Sequence, residues 1–136
     1  MPFKFEKLEV WQLALDYVDL SYRIAEQLPR SEEFNLKSQL IRAATSVALN
    51  IAEGSTGQTD AEQARFLGMA IRSTLETVAC QHIMRRRNLV QNITLIDSAY
   101  RQADTLVIKL VAMRRAISSD QAWLREESAT YRPSVE

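Results

Sequence analysis

Cysteine, histidine, glycine and proline are all scarce in this sequence, with one, one, three and three copies among 136 residues. One cysteine, Cys80, cannot form an internal disulfide, and its isolation fits a reducing compartment. No apolar run approaches the ~18 residues of a membrane span. The start MPFKFEKLEVWQ carries charges where a signal peptide needs an apolar region. A cytoplasmic protein with no membrane partner is therefore expected. The lone His82 follows Glu76 by six residues, so the paired Glu-x-x-His motifs of a di-metal carboxylate bundle are missing. Cys80 and His82 are two apart and point to different faces of a helix, which excludes a nucleophile–base pair. EGSTGQTD lacks the lysine of a phosphate-binding loop, and no zinc-ligand spacing occurs. The expectation is a non-enzyme using no metal and no cofactor.

Net charge is also absent, so bulk electrostatics do not announce a nucleic-acid binder. The distribution is less even. Residues 1–60 carry six Lys/Arg against nine Asp/Glu, residues 61–115 nine against four, and residues 116–136 two against four. Any basic surface must come from the middle of the chain.

What is present is helical. Hydrophobic content is 46%, enough for one compact domain with a real core. No segment alternates with period two. Four helices are expected, at about 6–28, 35–53, 60–88 and 94–118. Pro29 stops the first. Asn35 is the N-cap candidate of the second and Gly54 its C-terminal stop. Thr59 and Glu62 open the third in capping-box spacing. Short connections make neighbours antiparallel, giving an all-α, up-down-up-down four-helix bundle over residues 1–118. Residues 119–136 form a polar tail in which Trp123 and Leu124 can dock a last short helix.

The first helix has two adjacent apolar faces. One is Trp11, Ala14, Leu15, Val18, Tyr22 and Ala25; the other is Val10, Leu13, Tyr17, Leu20, Ile24 and Leu28. Together they span roughly 240°, against the ~100° stripe a bundle helix needs. The excess must be covered, either by the tail around Trp123 or by another copy of the chain. Self-association is the favoured cover, with Val10, Leu13, Tyr17, Leu20 and Ile24 as interface candidates.

In the second helix Gln39, Arg42, Ser46, Asn50 and Glu53 are spaced three, four, four and three, placing them within roughly 80° of one another. This line either faces water or meets a comparable stripe in helix three: Arg65, Arg72, Ser73 and Glu76. In the second case Arg42 pairs with Glu76 and Glu53 with Arg65, fixing helix register more than adding stability. Two arginine clusters stand out, Arg85, Arg86 and Arg87 ending helix three, and Arg114 and Arg115 ending helix four. Cations there complement the helix dipole. Repeated around a symmetry axis, they also make a field able to hold phosphates.

Three stretches, FEKLEVWQLAL, SQLIRAATSVALNIAEG and RFLGMAIRSTLE, resemble the family of 23S ribosomal RNA intervening-sequence proteins. The resemblance rests on Phe5, Leu8, Val10 and Trp11; on Arg42, Ala43, Ser46, Asn50, Ile51, Ala52, Glu53 and Gly54; and on Arg65, Phe66, Leu67, Ser73 and Glu76. It covers about residues 3–118. Ala48 stands where many members have proline and Arg72 where many have glycine. The resemblance implies an antiparallel four-helix bundle, a ring-like homopentamer and no assigned activity. A related family, the accessory proteins of diversity-generating retroelements, binds nucleic acid and a reverse transcriptase. Two functions are therefore expected to compete: an oligomeric scaffold whose arginines contact RNA or DNA, and a protein-interaction module with a protein partner and no nucleic-acid affinity.

Overall fold

The structure, a computed structural model, describes residues 2–56 and 59–129, with side chains described as far as residue 118. After a 3₁₀ turn at Lys4–Lys7 come helices α1 (Glu9–Glu26), α2 (Leu36–Ser55), α3 (Asp60–Arg86) and α4 (Ile93–Ala129); a second 3₁₀ turn, Arg30–Glu32, joins α1 to α2. No strand occurs among the described residues. The fold is an all-α four-helix bundle. α1 and α3 each pack against α2 and α4, with α2 against α3 the most extensive contact.

Local chemistry explains the element ends. Leu8 is extended (ψ 133), separating the first turn from α1 and letting Phe5 meet Trp11 edge-on at 4.7 Å. α1 stops at Glu26, and Pro29 opens the next 3₁₀ turn. Thr59 Oγ1 accepts the Glu62 N–H at 3.1 Å, capping α3. At the other end Asn88 is left-handed (φ 54), and the Leu89 N–H reaches back to the Met84 carbonyl at 3.0 Å. That is a Schellman stop, with asparagine serving where glycine is commoner.

Three boundaries differ from the sequence-based expectation. Asn35 stands at the N-cap of α2 but its side chain makes no cap bond; it bonds Glu32 and Gln39 instead. Gly54 does not end α2, which continues to Ser55. Its role is proximity: a Cβ there would lie 2.9 Å from Phe66 Cβ, so only glycine lets α2 and α3 approach this closely. α4 passes Ser118 and continues to Ala129, because no glycine or proline interrupts it before Pro133. The side chains of Trp123 and Leu124 lie outside the described ones.

The largest correction concerns the first helix. Val10, Tyr17, Leu20 and Ile24 are buried within the single chain, so they are core and not interface. Only Leu13 remains half-buried, beside a groove between α1 and α4. The wide arc is covered because α1 packs on both neighbours and the first turn folds over its N-terminal end. What stays exposed is the other face, at Leu15 and Tyr22.

Tyr17 reaches across the core to α3. Its hydroxyl lies 2.6 Å from Thr77 Oγ1 and accepts from Gln81 Nε2 at 2.7 Å. Thr77 donates its one proton to the Thr74 carbonyl, so the Tyr17 hydroxyl must donate to Thr77. The chain of bonds has one direction: Gln81 to Tyr17 to Thr77 to the α3 backbone. Among the described residues two buried side-chain atoms, Ser21 Oγ and Gln81 Oε1, have no protein partner. Polar groups bonded this deep specify one register between α1 and α3.

Candidate functional site

The polar line of α2 meets α3. Arg42 Nη2 donates to Glu76 Oε2 at 2.8 Å, and the Ser46 and Ser73 hydroxyls are 2.9 Å apart. Asn50 Nδ2 donates to the Ser46 carbonyl at 2.8 Å and to Ser46 Oγ at 2.9 Å. Glu53 does not reach Arg65. Arg65 pairs with Glu62 one turn away, at 2.7 Å, and lies over the Phe66 ring at 4.6 Å. The nearer carboxylate wins because a pair within one turn needs no long side chain to cross between helices. Arg42 and Glu76 are both well exposed, so their pair is worth ~0–1 kcal/mol and sets register.

None of this forms a catalytic constellation. Burial, and after it the Glu76 carboxylate, raises the Cys80 thiol above its ordinary range, away from nucleophilic thiolate. His82 meets Tyr100 edge-on at 6.1 Å, on a different face from Cys80. Among the described residues no His/Cys/Asp/Glu cluster could hold a metal ion, and no helix is long and apolar enough to cross a membrane.

The arginines divide into two kinds. Arg85 is tied to Asp97, joining the end of α3 to the first turns of α4. Arg72, Arg86, Arg87, Arg101, Arg114 and Arg115 are exposed and make no ion pair among the described residues. Arg114 lies against α3 at Gly68, where a Cβ would come 3.2 Å from its guanidinium carbon. Gly68 thus makes room for Arg114, and Arg72 follows one turn further along α3. Arg72 and Arg86 are roughly 21 Å apart along the helix. The α3–α4 side therefore carries free cations at the C-terminal end of α3 and again near the middle of that helix, and of the carboxylates between the two levels Glu76 and Asp97 are already paired.

Between those two levels the face is mostly apolar. Leu75, Val78, Tyr100, Ala103 and Val107, with Asp104, line a shallow groove of about 120 Å³. Ile83 and Ile108, outside the lining of that groove, are also exposed. This band is the feature that core-directed reading of the sequence passes over. Leu75, Ala79 and Ile83 recur every four residues on the side of α3 away from the core, which was the available signal. The α1–α4 side is different in character. Two polar grooves of about 380 and 350 Å³ share Asp16, Ser98 and Gln102.

Set against known proteins, the sequence matches the 23S rRNA-intervening sequence protein family over residues 6–112. The chain belongs to that family. A crystal structure of a protein of unknown function from the S23 ribosomal protein family of Bacteroides thetaiotaomicron shares the fold, with a TM-score of 0.71 and 19% identity over 78% of this chain and 95% of that one. No curated protein matches. The residues on which the sequence resemblance rests, Arg42, Ser46, Asn50, Gly54, Phe66, Ser73 and Glu76, lie along the α2–α3 contact. Neither the family nor its solved S23 relative brings an assigned activity.

Proposed function

We propose that this protein is a non-catalytic, oligomeric helical scaffold of the cytoplasm that contacts RNA or DNA phosphates through the free arginines of the α3–α4 face. The supporting observation is their placement. Arg86 and Arg87 at the end of α3, and Arg72, Arg114 and Arg115 at or below its middle, have no carboxylate partner among the described residues, although net charge is zero. Arg85 is not one of the binding residues, since Asp97 already neutralises it. Among the described residues Tyr100 and His82 are the aromatic rings beside the band, so binding follows the sugar-phosphate backbone without sequence preference.

The test is fluorescence anisotropy with a labelled single-stranded RNA and a DNA duplex across a salt series. Binding should weaken steeply with salt, in proportion to the phosphates contacted. The double change Arg86→Glu, Arg87→Glu should weaken it about tenfold or more, while Arg85→Ala should weaken it far less. Binding indifferent to salt and to these reversals would refute the reading.

A second reading, a protein-interaction module without nucleic-acid affinity, draws on the apolar band between the arginine ends. It expects no RNA binding at physiological salt and a co-purifying protein partner that is lost when residues 119–136 are removed.

A further inference from the structure

One phenyl ring touches almost nothing in its own chain. Phe34, in the connection between α1 and α2, is 97% exposed, against 63% for Phe3, the next most exposed large apolar side chain among the described residues. The turn that carries it is nevertheless tied down. The Glu32 N–H donates to the Pro29 carbonyl at 2.9 Å, the Glu33 N–H to the Arg30 carbonyl at 3.1 Å, and the Asn35 N–H to the Glu32 carbonyl at 3.1 Å. Asn35 Nδ2 donates to Glu32 Oε1 at 2.9 Å, and Glu33 pairs with Lys37 at 3.3 Å. A hydrogen-bonded turn thus presents the ring to solvent.

Its height follows from the α2–α3 register. Arg42 meets Glu76 and Ser46 meets Ser73. Counting back along α2 and forward along α3 from these pairs brings Phe34 level with the last turn of α3, which leads into Arg86 and Arg87. Neighbouring helix axes lie ~8–10 Å apart, about the length of a three-nucleotide stretch at ~3.4 Å per nucleotide. Arg30, exposed, opens the same connection. Arg30, Arg86 and Arg87 are in no ion pair among the described residues, whereas Glu33 is held by Lys37 and Asp97 by Arg85. Exposed Glu26 ends α1, which packs on α2 and α4 and so lies diagonally across from α3.

We infer that Phe34, with Arg30, Arg86 and Arg87, is a platform for an unpaired base of single-stranded nucleic acid, the ring stacking on the base while the arginines hold the flanking phosphates. This rests on the arginine reading above and names the strand form it prefers. Bases within a duplex are stacked on one another and offer the ring no face; an unpaired base does. Stacking tolerates any base, so the platform selects strand form and not sequence. The surroundings of the ring argue against a protein in that place. Arg30, Ser31, Glu32, Glu33 and Asn35 are polar, whereas a stable protein contact buries roughly 800 Å² per partner about an apolar centre. One face of a base needs only the ring.

The test is fluorescence anisotropy of the full chain with a labelled oligothymidine of about twelve nucleotides and with a duplex of the same length. The single strand should bind more tightly than the duplex. Phe34→Leu keeps an apolar side chain and loses the ring; it should weaken single-strand binding about tenfold and leave duplex binding unchanged. Phe34→Tyr should keep the parent affinity. Because the ring is almost wholly exposed, both variants should keep the parent's helical circular dichroism and unfolding midpoint. Equal affinity for strand and duplex, a Phe34→Leu variant that binds the single strand as the parent does, or Phe34→Leu and Phe34→Tyr weakening it alike would overturn the platform. So would a fall in sedimenting mass with Phe34→Leu that weakens strand and duplex equally, since the ring would then be a contact between copies. The two failures are distinguishable. Salt-sensitive binding of both forms that ignores Phe34 removes the platform and spares the arginine reading; binding of neither form removes both.

Discussion

Removing one oxygen from the core, by Tyr17→Phe, tests the directed chain of hydrogen bonds that joins α1 to α3. The hydroxyl donates to Thr77 and accepts from Gln81 at 2.7 Å. Thr77 is little affected by its loss, because its own proton still goes to the Thr74 carbonyl at 2.5 Å. Gln81 is not so fortunate. It is 2% exposed, its Oε1 already lacks a protein partner, and without Tyr17 its amide has none at all. Leaving such a group unsatisfied costs about 1–3 kcal/mol, and the lost bonds add about 1 kcal/mol. Tyr17→Phe should therefore destabilise by about 2–4 kcal/mol.

The companion change sharpens the test. Gln81→Leu removes the stranded amide together with its orphan oxygen, and Tyr17→Phe with Gln81→Leu replaces both partners by apolar groups of similar shape. Such double replacements are nearly neutral. The double variant should thus be more stable than Tyr17→Phe alone, a non-additivity of about 1–2 kcal/mol in a double-mutant cycle. Urea unfolding followed by circular dichroism, at one fixed protein concentration, measures all four corners. Additive losses, or a Tyr17→Phe variant as stable as the parent, would refute the argument that this network sets the α1–α3 register.

Gly54→Ala should destabilise by about 1–3 kcal/mol, since the new methyl meets Phe66 Cβ at 2.9 Å; thermal unfolding reads it, and a neutral result would show that α2 and α3 can separate freely. Arg42→Ala and Glu76→Ala should each change stability by less than about 1 kcal/mol, because the pair is exposed. Burial raises Tyr17 above its ordinary 10.0 and Cys80 above 9.0. A raised folded-state value means the contribution is complete below the ordinary value and lost as pH climbs through the raised one. Stability should hold below pH 9 and fall above it, with a shallower alkaline loss in Cys80→Ala.

The first two connections were readable because glycine and proline are so sparse that Pro29 and the pair Gly54 and Gly57 mark them, whereas the α3–α4 connection, RNLVQN, holds neither and showed only as a break in the apolar periodicity. The α2–α3 line was readable too, since side chains spaced three and four apart must share a helix face. The burial of Val10, Tyr17, Leu20 and Ile24 was not. An apolar arc wider than usual says that cover is needed, and periodicity does not reveal that the chain's own first turn, through Phe5 at Trp11, supplies part of it. Tyr17 was misread for a related reason. A tyrosine on an apolar stripe suits an interface, where its hydroxyl stays wet; only the fold shows Thr77 and Gln81 waiting across the core. Gly68 carried no sequence signal of its own, because what it admits, Arg114, is forty-six positions away.

The residues that carried the sequence resemblance serve the fold and not a visible chemistry. Arg42 with Glu76, Ser46 with Ser73, Asn50 on its own helix and Gly54 against Phe66 all act on the spacing and register of α2 and α3. They hold α3 at one height and one rotation. Once that is set, residues on the outer side of α3 and on α4 can vary at small cost, because exposed substitutions usually shift stability by no more than ~0.5 kcal/mol. Arg72, Arg86, Leu75 and Ile108 belong to that outer set, as do the grooves beside α1. The signature is thus a spacer on which different working surfaces can be mounted. Exchanging the outer residues of α3 and α4 should accordingly redirect binding while leaving the unfolding transition almost where it was. A large loss of stability on that exchange would mean the working surface and the spacer are one structure.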